Sequence, residues 1–188
     1  QYDLATLGFG DTYLLGPAGE EVKVYQSTVL NNFIYVATAE SGIRRADLSN
    51  PNLNDFSQWQ TFDAGIWTGI VTHNNQIVAV SANRVARHTG GAFTTMTSLM
   101  QPGIDIRSYQ DNLVVTTVNH VYSYNQTFSQ TAHIVSTSIP NMTAAFNCAT
   151  IVGGDFYIGT KENGIITASL LNTTTFQVIK PDGPARNN

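Results

Sequence analysis

A fourfold internal repeat constrains this chain more than any other feature of its sequence. A polar or glycine turn followed by an apolar run recurs at residues 31–38, 74–81, 110–117 and 153–160. The copies read Asn31-Asn32-Phe33-Ile34-Tyr35-Val36-Ala37-Thr38, Asn74-Asn75-Gln76-Ile77-Val78-Ala79-Val80-Ser81, Gln110-Asp111-Asn112-Leu113-Val114-Val115-Thr116-Thr117 and Gly153-Gly154-Asp155-Phe156-Tyr157-Ile158-Gly159-Thr160. The anchors Ile34, Ile77, Leu113 and Phe156 lie 36 to 43 residues apart, which is the period of a four-stranded propeller blade. A blade has no core of its own and buries its faces only against neighbouring blades. The repeat therefore predicts an all-β fold, a partial β-propeller of about four four-stranded antiparallel blades.

Each copy extends into a full blade. Inner strands with alternating apolar residues precede the anchors, over residues 26–30, 68–73, 105–109 and 148–152. A third strand follows at residues 42–46, 84–88, 120–124 and 164–168, and an outer strand near 59–62, 93–96, 132–135 and 176–179. The four- or five-residue gap between the terminal Thr or Ser of the anchor strand and the aligned Ile or Val fixes hairpin register. A one-residue slip would turn every side chain to the wrong face. No segment keeps a 3.6-residue period, so almost no helix is expected. The expected divisions are a connection and outer strand of a preceding blade at 1–21, blades at 22–62, 63–99, 100–135 and 136–180, and the start of a next blade at 181–188.

Charged residues make up only 12% of the chain, against roughly 25% in an average globular protein, so Thr, Ser, Asn and Gln must cover its surface. That composition suits an extracytoplasmic β-protein at the periplasm or cell surface. A net charge of −4 with scattered arginines argues against nucleic acid as a partner. No apolar run reaches the ~18 residues of a membrane-spanning helix, and no secretory leader is visible. Cys148, the one cysteine, has no intramolecular disulfide partner and reads as a small apolar residue on an inner strand.

Particular phrases resemble a known family. Asp11-Thr12-Tyr13, Gly16-Pro17, the run from Ile34 to Leu48, and above all Asp55-Phe56-Ser57-Gln58-Trp59 resemble the PorZ-like amino-terminal β-propeller of the Bacteroidetes type IX secretion system. Asp111-Asn112-Leu113-Val114-Val115 and the closing Ile179-Lys180-Pro181-Asp182-Gly183-Pro184 fit the same run of blades, so the resemblance covers residues 11–184. It implies a seven-bladed ring and a non-catalytic scaffold role in protein secretion and cell-surface attachment of cargo. The implied partners are the proteins of a surface sortase and attachment complex. Contact with anionic lipopolysaccharide would fall to the family's β-sandwich tail, which, like its second propeller, is not part of this sequence. The blade pattern is shared with periplasmic propellers of two-component sensors.

Few residues suggest chemistry. His73, His88, His120 and His133 sit at unrelated blade positions without zinc-ligand spacing, so they read as polar surface residues and neither metal nor cofactor is expected. Most aspartates occupy turns, where the side chain bonds its own backbone. Asp105 alone lies on an inner strand, whereas glycoside hydrolysis needs two carboxylates about 5 to 9 Å apart. Trp59 and Tyr122 read as packing between blades. Trp67, beside Gly65-Ile66, is the exposed-aromatic candidate for an interaction surface. Arg45 and Arg87 align on the third strands of adjacent blades and form a candidate basic strip for an anionic partner. Two rivals to the secretion reading remain: a periplasmic ligand-sensing propeller of a two-component sensor, and a glycan-binding or glycan-cleaving propeller.

Overall fold

A computed structural model of the chain describes residues 12–180 and the paired strands β1 (Tyr2–Asp3) and β2 (Gly8–Phe9). The next-blade start expected at 181–188 and most of the connection expected over 1–11 lie outside the described residues. Four antiparallel four-stranded sheets follow in chain order. The first is β3 (Val24–Leu30), β4 (Phe33–Thr38), β5 (Ile43–Asp47) and β6 (Gln60–Asp63). The second is β7 (Gly69–His73), β8 (Gln76–Val80), β9 (Arg84–Thr89) and β10 (Ala92–Ser98). The third is β11 (Gly103–Tyr109), β12 (Asn112–Thr117), β13 (His120–Tyr124) and β14 (Gln130–Val135). The fourth is β15 (Phe146–Val152), β16 (Asp155–Thr160), β17 (Ile165–Ser169) and β18 (Asn172–Ile179). Every sheet is an up-and-down meander with strands in sequence order, as in a propeller blade.

Turn chemistry explains the register. Asn31 and Asn32 (φ 49° and 64°), Asn74 and Asn75 (43° and 54°), and Gly153 and Gly154 (62° and 88°) all take the left-handed region at both central positions. This is the I′ geometry that matches strand twist, and Asn and Gly tolerate it best. In the third copy only Gln110 has positive φ. The Thr that ends an anchor strand has a specific task. Thr38 and Thr160 donate their hydroxyls to the Gly42 and Gly164 carbonyls at 2.8 and 2.9 Å, while accepting the Ser41 and Asn163 amides. This closes the β4–β5 and β16–β17 turns and accounts for the constant gap in the repeat. The inner strands also share an irregularity, because register slips by one residue at Tyr25, Ile104 and Asn147. Such a bulge bends the strand at the same place in three copies.

The chain forms two compact units, residues 1–70 and 71–188. In the first, Leu15, Val36, Ala46 and Trp59 form a core to which Tyr13, Val22, Ile34 and Leu53 add. In the second, sheets stack. Val78, Val80 and Val85 of the second sheet pack with Ile106, Leu113, Val115, Tyr122 and Tyr124 of the third. The opposite face of the third sheet, with Val114, Val121 and Ile134, packs with Ile151, Phe156, Ile158 and Ile166 of the fourth. Strand β12 is consequently buried on both faces, and its residues 113–117 are all buried. Short 3-10 turns at Phe56–Gln58 and Ser136–Ser138 are the helical segments among the described residues.

Candidate functional site

The sequence places Trp67 on an exposed face, and the structure corrects this. Trp67 is only 1% exposed. Its indole N–H donates to Asp63 Oδ1 at 2.7 Å, and the Gly65 amide donates to the same oxygen at 2.7 Å. The Asp63 carboxylate thus folds the 63–67 turn back on itself, so the indole is buried with its one donor satisfied. Trp59 is buried as expected, and its Nε1 donates to the Leu53 carbonyl at 2.8 Å.

The neighbouring arginines of β5 have opposite environments. Arg44 is buried and donates through Nε to the Leu15 carbonyl at 3.0 Å, through Nη1 to Thr61 Oγ1 at 2.5 Å and through Nη2 to the Trp59 carbonyl. Burial disfavours its charge and lowers its pKa, which the Glu20 carboxylate partly offsets. Arg44 therefore ties the 13–15 segment to the first sheet. Arg45 faces the other side, its guanidinium 5.3 Å from the Phe33 ring centroid and 5.4 Å from that of Phe62. Beside it lies a cavity of about 310 Å³ lined by Phe33, Arg45, Asp47, Asn50, Gln58 and Gln60.

In the second unit Arg87 lies 4.6 Å from the Phe128 centroid, and His73 meets the same ring edge-on at 5.3 Å. Phe128 takes φ 63° in a loop held by Asn125, whose side-chain oxygen accepts from the Thr127 amide and hydroxyl and the Ser129 amide. His73, read from sequence as a surface residue, is instead buried. Its Nε2 donates to the Asn125 carbonyl at 3.1 Å, which leaves Nδ1 to accept from the Ser108 hydroxyl at 2.9 Å. Among the described residues the Nε atoms of Arg45 and Arg87 are buried without a hydrogen-bond partner. Stacking on aromatic faces is what these two side chains share.

The arrangement that sequence reasoning missed joins His120 and His133. Although 13 residues apart, they meet because β13 and β14 pair with His120 opposite Val135 and Tyr122 opposite His133. His120 Nδ1 and His133 Nε2 are 3.0 Å apart, within hydrogen-bond distance, and the Tyr122 ring stacks on His133 at 4.4 Å and 11°. Desolvation, with His120 adding to it, lowers the His133 pKa. The sequence offered only a His on the third strand and another on the outer strand of one blade, and it left the register between those two strands unread. No grouping of three or more His, Cys, Asp or Glu suited to a metal occurs among the described residues. Asp105, the lone acid on an inner strand, receives Arg107 Nε on both oxygens at 3.1 Å, which raises the Arg107 pKa. Cys148 is half-buried on β15.

No protein-family model matches the chain, and no curated protein matches it. Solved structures do. PorZ, a bacterial surface component of the type-IX secretion system of Porphyromonas gingivalis, superposes with a TM-score of 0.73 at 17% identity, over 99% of this chain and 24% of PorZ. The extracellular domain of a protein described as a hybrid two-component system of B. thetaiotaomicron gives 0.63 at 18% identity, over 88% of this chain and 23% of that one. The computationally designed Ika4 protein gives 0.62 at 9% identity, over 85% of this chain and 99% of its own. The chain spans about a quarter of the length of the two natural proteins. At such identities the likeness is one of fold: each of the four four-stranded antiparallel sheets is consistent with a propeller-type blade.

Proposed function

We propose that this chain is a non-catalytic protein-interaction module of an extracytoplasmic β-propeller. The observation that carries the reading is where its distinctive side chains are used. Arg44, Trp59, Trp67, His73 and Asp105 all serve internal contacts, most within a sheet and its turns and, for His73, between the second and third sheets. Val24, Val29, Tyr157, Ile165 and Ile179 are large apolar side chains exposed on sheet strands. Exposed apolar surface on a rigid sheet is the mark of a surface that meets another protein. The low charge and the likeness to two extracellular or surface bacterial proteins support an extracytoplasmic setting.

Two finer readings follow. The ligand-sensing propeller of a two-component sensor is supported by the likeness to the extracellular domain of one B. thetaiotaomicron protein, described as a hybrid two-component or a one-component system, at 18% and 17% identity in two structures. The PorZ-like reading, with a seven-bladed ring and partners in a surface sortase and attachment complex, is supported by the PorZ superposition and by Asp55-Phe56-Ser57-Gln58-Trp59. The test is to tag the polypeptide in its native cell, probe it with a protease that cannot cross the inner membrane, and identify its crosslinked partners. Cleavage in cells with a permeabilised outer envelope supports the module reading. Crosslinking to a membrane-spanning kinase favours the sensor, and crosslinking to a surface sortase favours the secretion role. Full protection inside the inner membrane overturns both.

A further inference from the structure

The His120–His133 pair is a cluster of ligating side chains that the module reading leaves unused. It lies on the third sheet, which packs on the second sheet through one face and on the fourth through the other. The repeat does not call for imidazole at either place. Equivalent positions hold Gly42 and Thr61 in the first sheet, Arg84 and Thr95 in the second, and Gly164 and Val178 in the fourth. Strand twist brings such a diagonal pair together, as Arg84 Nη1 and Thr95 Oγ1 show at 3.4 Å in the second sheet.

Both rings are positioned by a buried neighbour. Tyr122 is 5% exposed, and its ring stacks on His133 at 4.4 Å and on His120 at 5.9 Å. The two imidazoles stack at 5.1 Å and 26°. His133 is exposed and His120 half-buried, so solvent reaches the pair. Neither ring hydrogen-bonds a carboxylate among the described residues. The facing nitrogens, His120 Nδ1 and His133 Nε2, are 3.0 Å apart. Two imidazole nitrogens bound to one metal ion at roughly 2.0–2.1 Å, with an angle of about 90–110° between them, lie about 2.9–3.4 Å apart. The observed spacing falls within that range. The lowered pKa of His133 keeps its ring neutral at neutral pH, and the neutral imidazole is the form that ligates.

We propose that His120 Nδ1 and His133 Nε2 form a two-point chelate for a late first-row divalent cation such as Zn²⁺, Ni²⁺ or Cu²⁺. Imidazole suits these ions, whereas Mg²⁺ and Ca²⁺ take oxygen ligands. In the loaded state each ring carries its proton on its other nitrogen, His120 Nε2 and His133 Nδ1. Two neutral rings therefore bind the ion without net release of a proton. Two protein ligands leave the remaining coordination positions to water. The ion pins the outer strand β14 to β13. The site goes beyond the module reading and stands whichever extracytoplasmic role the module serves.

Zn²⁺ titrated into the untagged chain at neutral pH tests this, with the histidine rings followed by long-range proton–nitrogen NMR. One ion per chain should bind, shifting His120 Nδ1 and His133 Nε2 while the rings of His73 and His88 stay in place. By calorimetry His120→Ala and His133→Thr should each weaken binding at least about 10-fold, since even an outer partner of a metal site is worth that much. Threonine is the residue that the first two sheets hold at the place of His133, as Thr61 and Thr95, so His133→Thr suits the fold if His120→Ala does not. His88→Ala, which removes an imidazole of the second sheet, should leave affinity unchanged. Cu²⁺ should bind more tightly than Zn²⁺, and Mg²⁺ should leave both rings unshifted. No binding up to about 1 mM Zn²⁺ overturns the proposal. So does a shift at one of the two rings alone, or an affinity that His133→Thr leaves unchanged.

Discussion

Replacing Arg44 by Met tests whether a buried charge organises the first sheet. At the aligned positions the other blades hold Ala86, Tyr122 and Ile166, so an apolar side chain suits this place in the fold. Arg44→Met keeps much of the volume and removes all three donors. The Leu15 and Trp59 carbonyls lose their bonds to the guanidinium. A hydrogen bond from a charged donor contributes about 1.5–3 kcal/mol, and an acceptor left buried and unpaired costs about 1–3 kcal/mol. Relief of the guanidinium's desolvation opposes these losses. The net expectation is a destabilisation of about 2–4 kcal/mol, a fall in Tm of roughly 5–15 °C for a chain of this size. The loss should be largest where Arg44 holds the chain. Hydrogen exchange should therefore speed up by roughly 30- to 700-fold at the Gly16 and Gly19 amides, which bond Glu20 and Gly16 carbonyls in the adjoining turn. Arg44→Lys should not rescue, because an ammonium cannot reach three acceptors in a fork. An unchanged Tm with unchanged exchange at both amides would refute the reasoning and make Arg44 an ordinary filler of the sheet face.

Gly42→Ala should destabilise by about 2 kcal/mol or more in a thermal melt. Gly42 holds φ 67°, and an added Cβ would lie 2.1 Å from the Asp63 carbonyl oxygen, so both backbone strain and a backbone clash result. Burial pushes the Tyr124 pKa up to about 12, although the bond of its hydroxyl to Thr97 Oγ1 opposes this. The neutral form is the one that folding favours. The corresponding stability is complete below the unfolded pKa near 10 and is lost as pH rises toward 12, by roughly 2 kcal/mol. Denaturant midpoints across that range should fall in wild type and fall less in Tyr124→Phe. The lowered His133 pKa acts with the opposite sign: stability is present above the unfolded value near 6.5 and declines as pH falls through the folded value. NMR titration should show His133 protonating below a free histidine, and a His120→Ala variant should bring it closer to the ordinary value.

Strand placement was readable because a meander repeats one short-range pattern. Each anchor strand, its hairpin turn and its third strand follow from period-2 alternation, Asn and Gly at left-handed positions, and a Thr at a fixed offset. These are local signals that neighbours in sequence reinforce. Trp67 and His73 were misread because their burial depends on satisfying polar atoms through Asp63, Ser108 and Asn125. A hydrophobicity pattern registers neither the partner nor the bond. The arginines show both sides of this limit. Arg44 and Arg45 are adjacent in sequence and lie on opposite faces of β5, one bound to main-chain carbonyls and the other stacked on rings.

The sequence by itself determined the number of sheets, the order of their strands and the register of their hairpins, because each rests on contacts between residues close along the chain. Only the tertiary structure decided which faces are covered. Val121 and Ile165 occupy the same place in the repeat and are chemically alike, and one is buried while the other stands exposed. Burial of a sheet face is a property of what packs on it, and no side chain encodes the presence of its neighbour sheet.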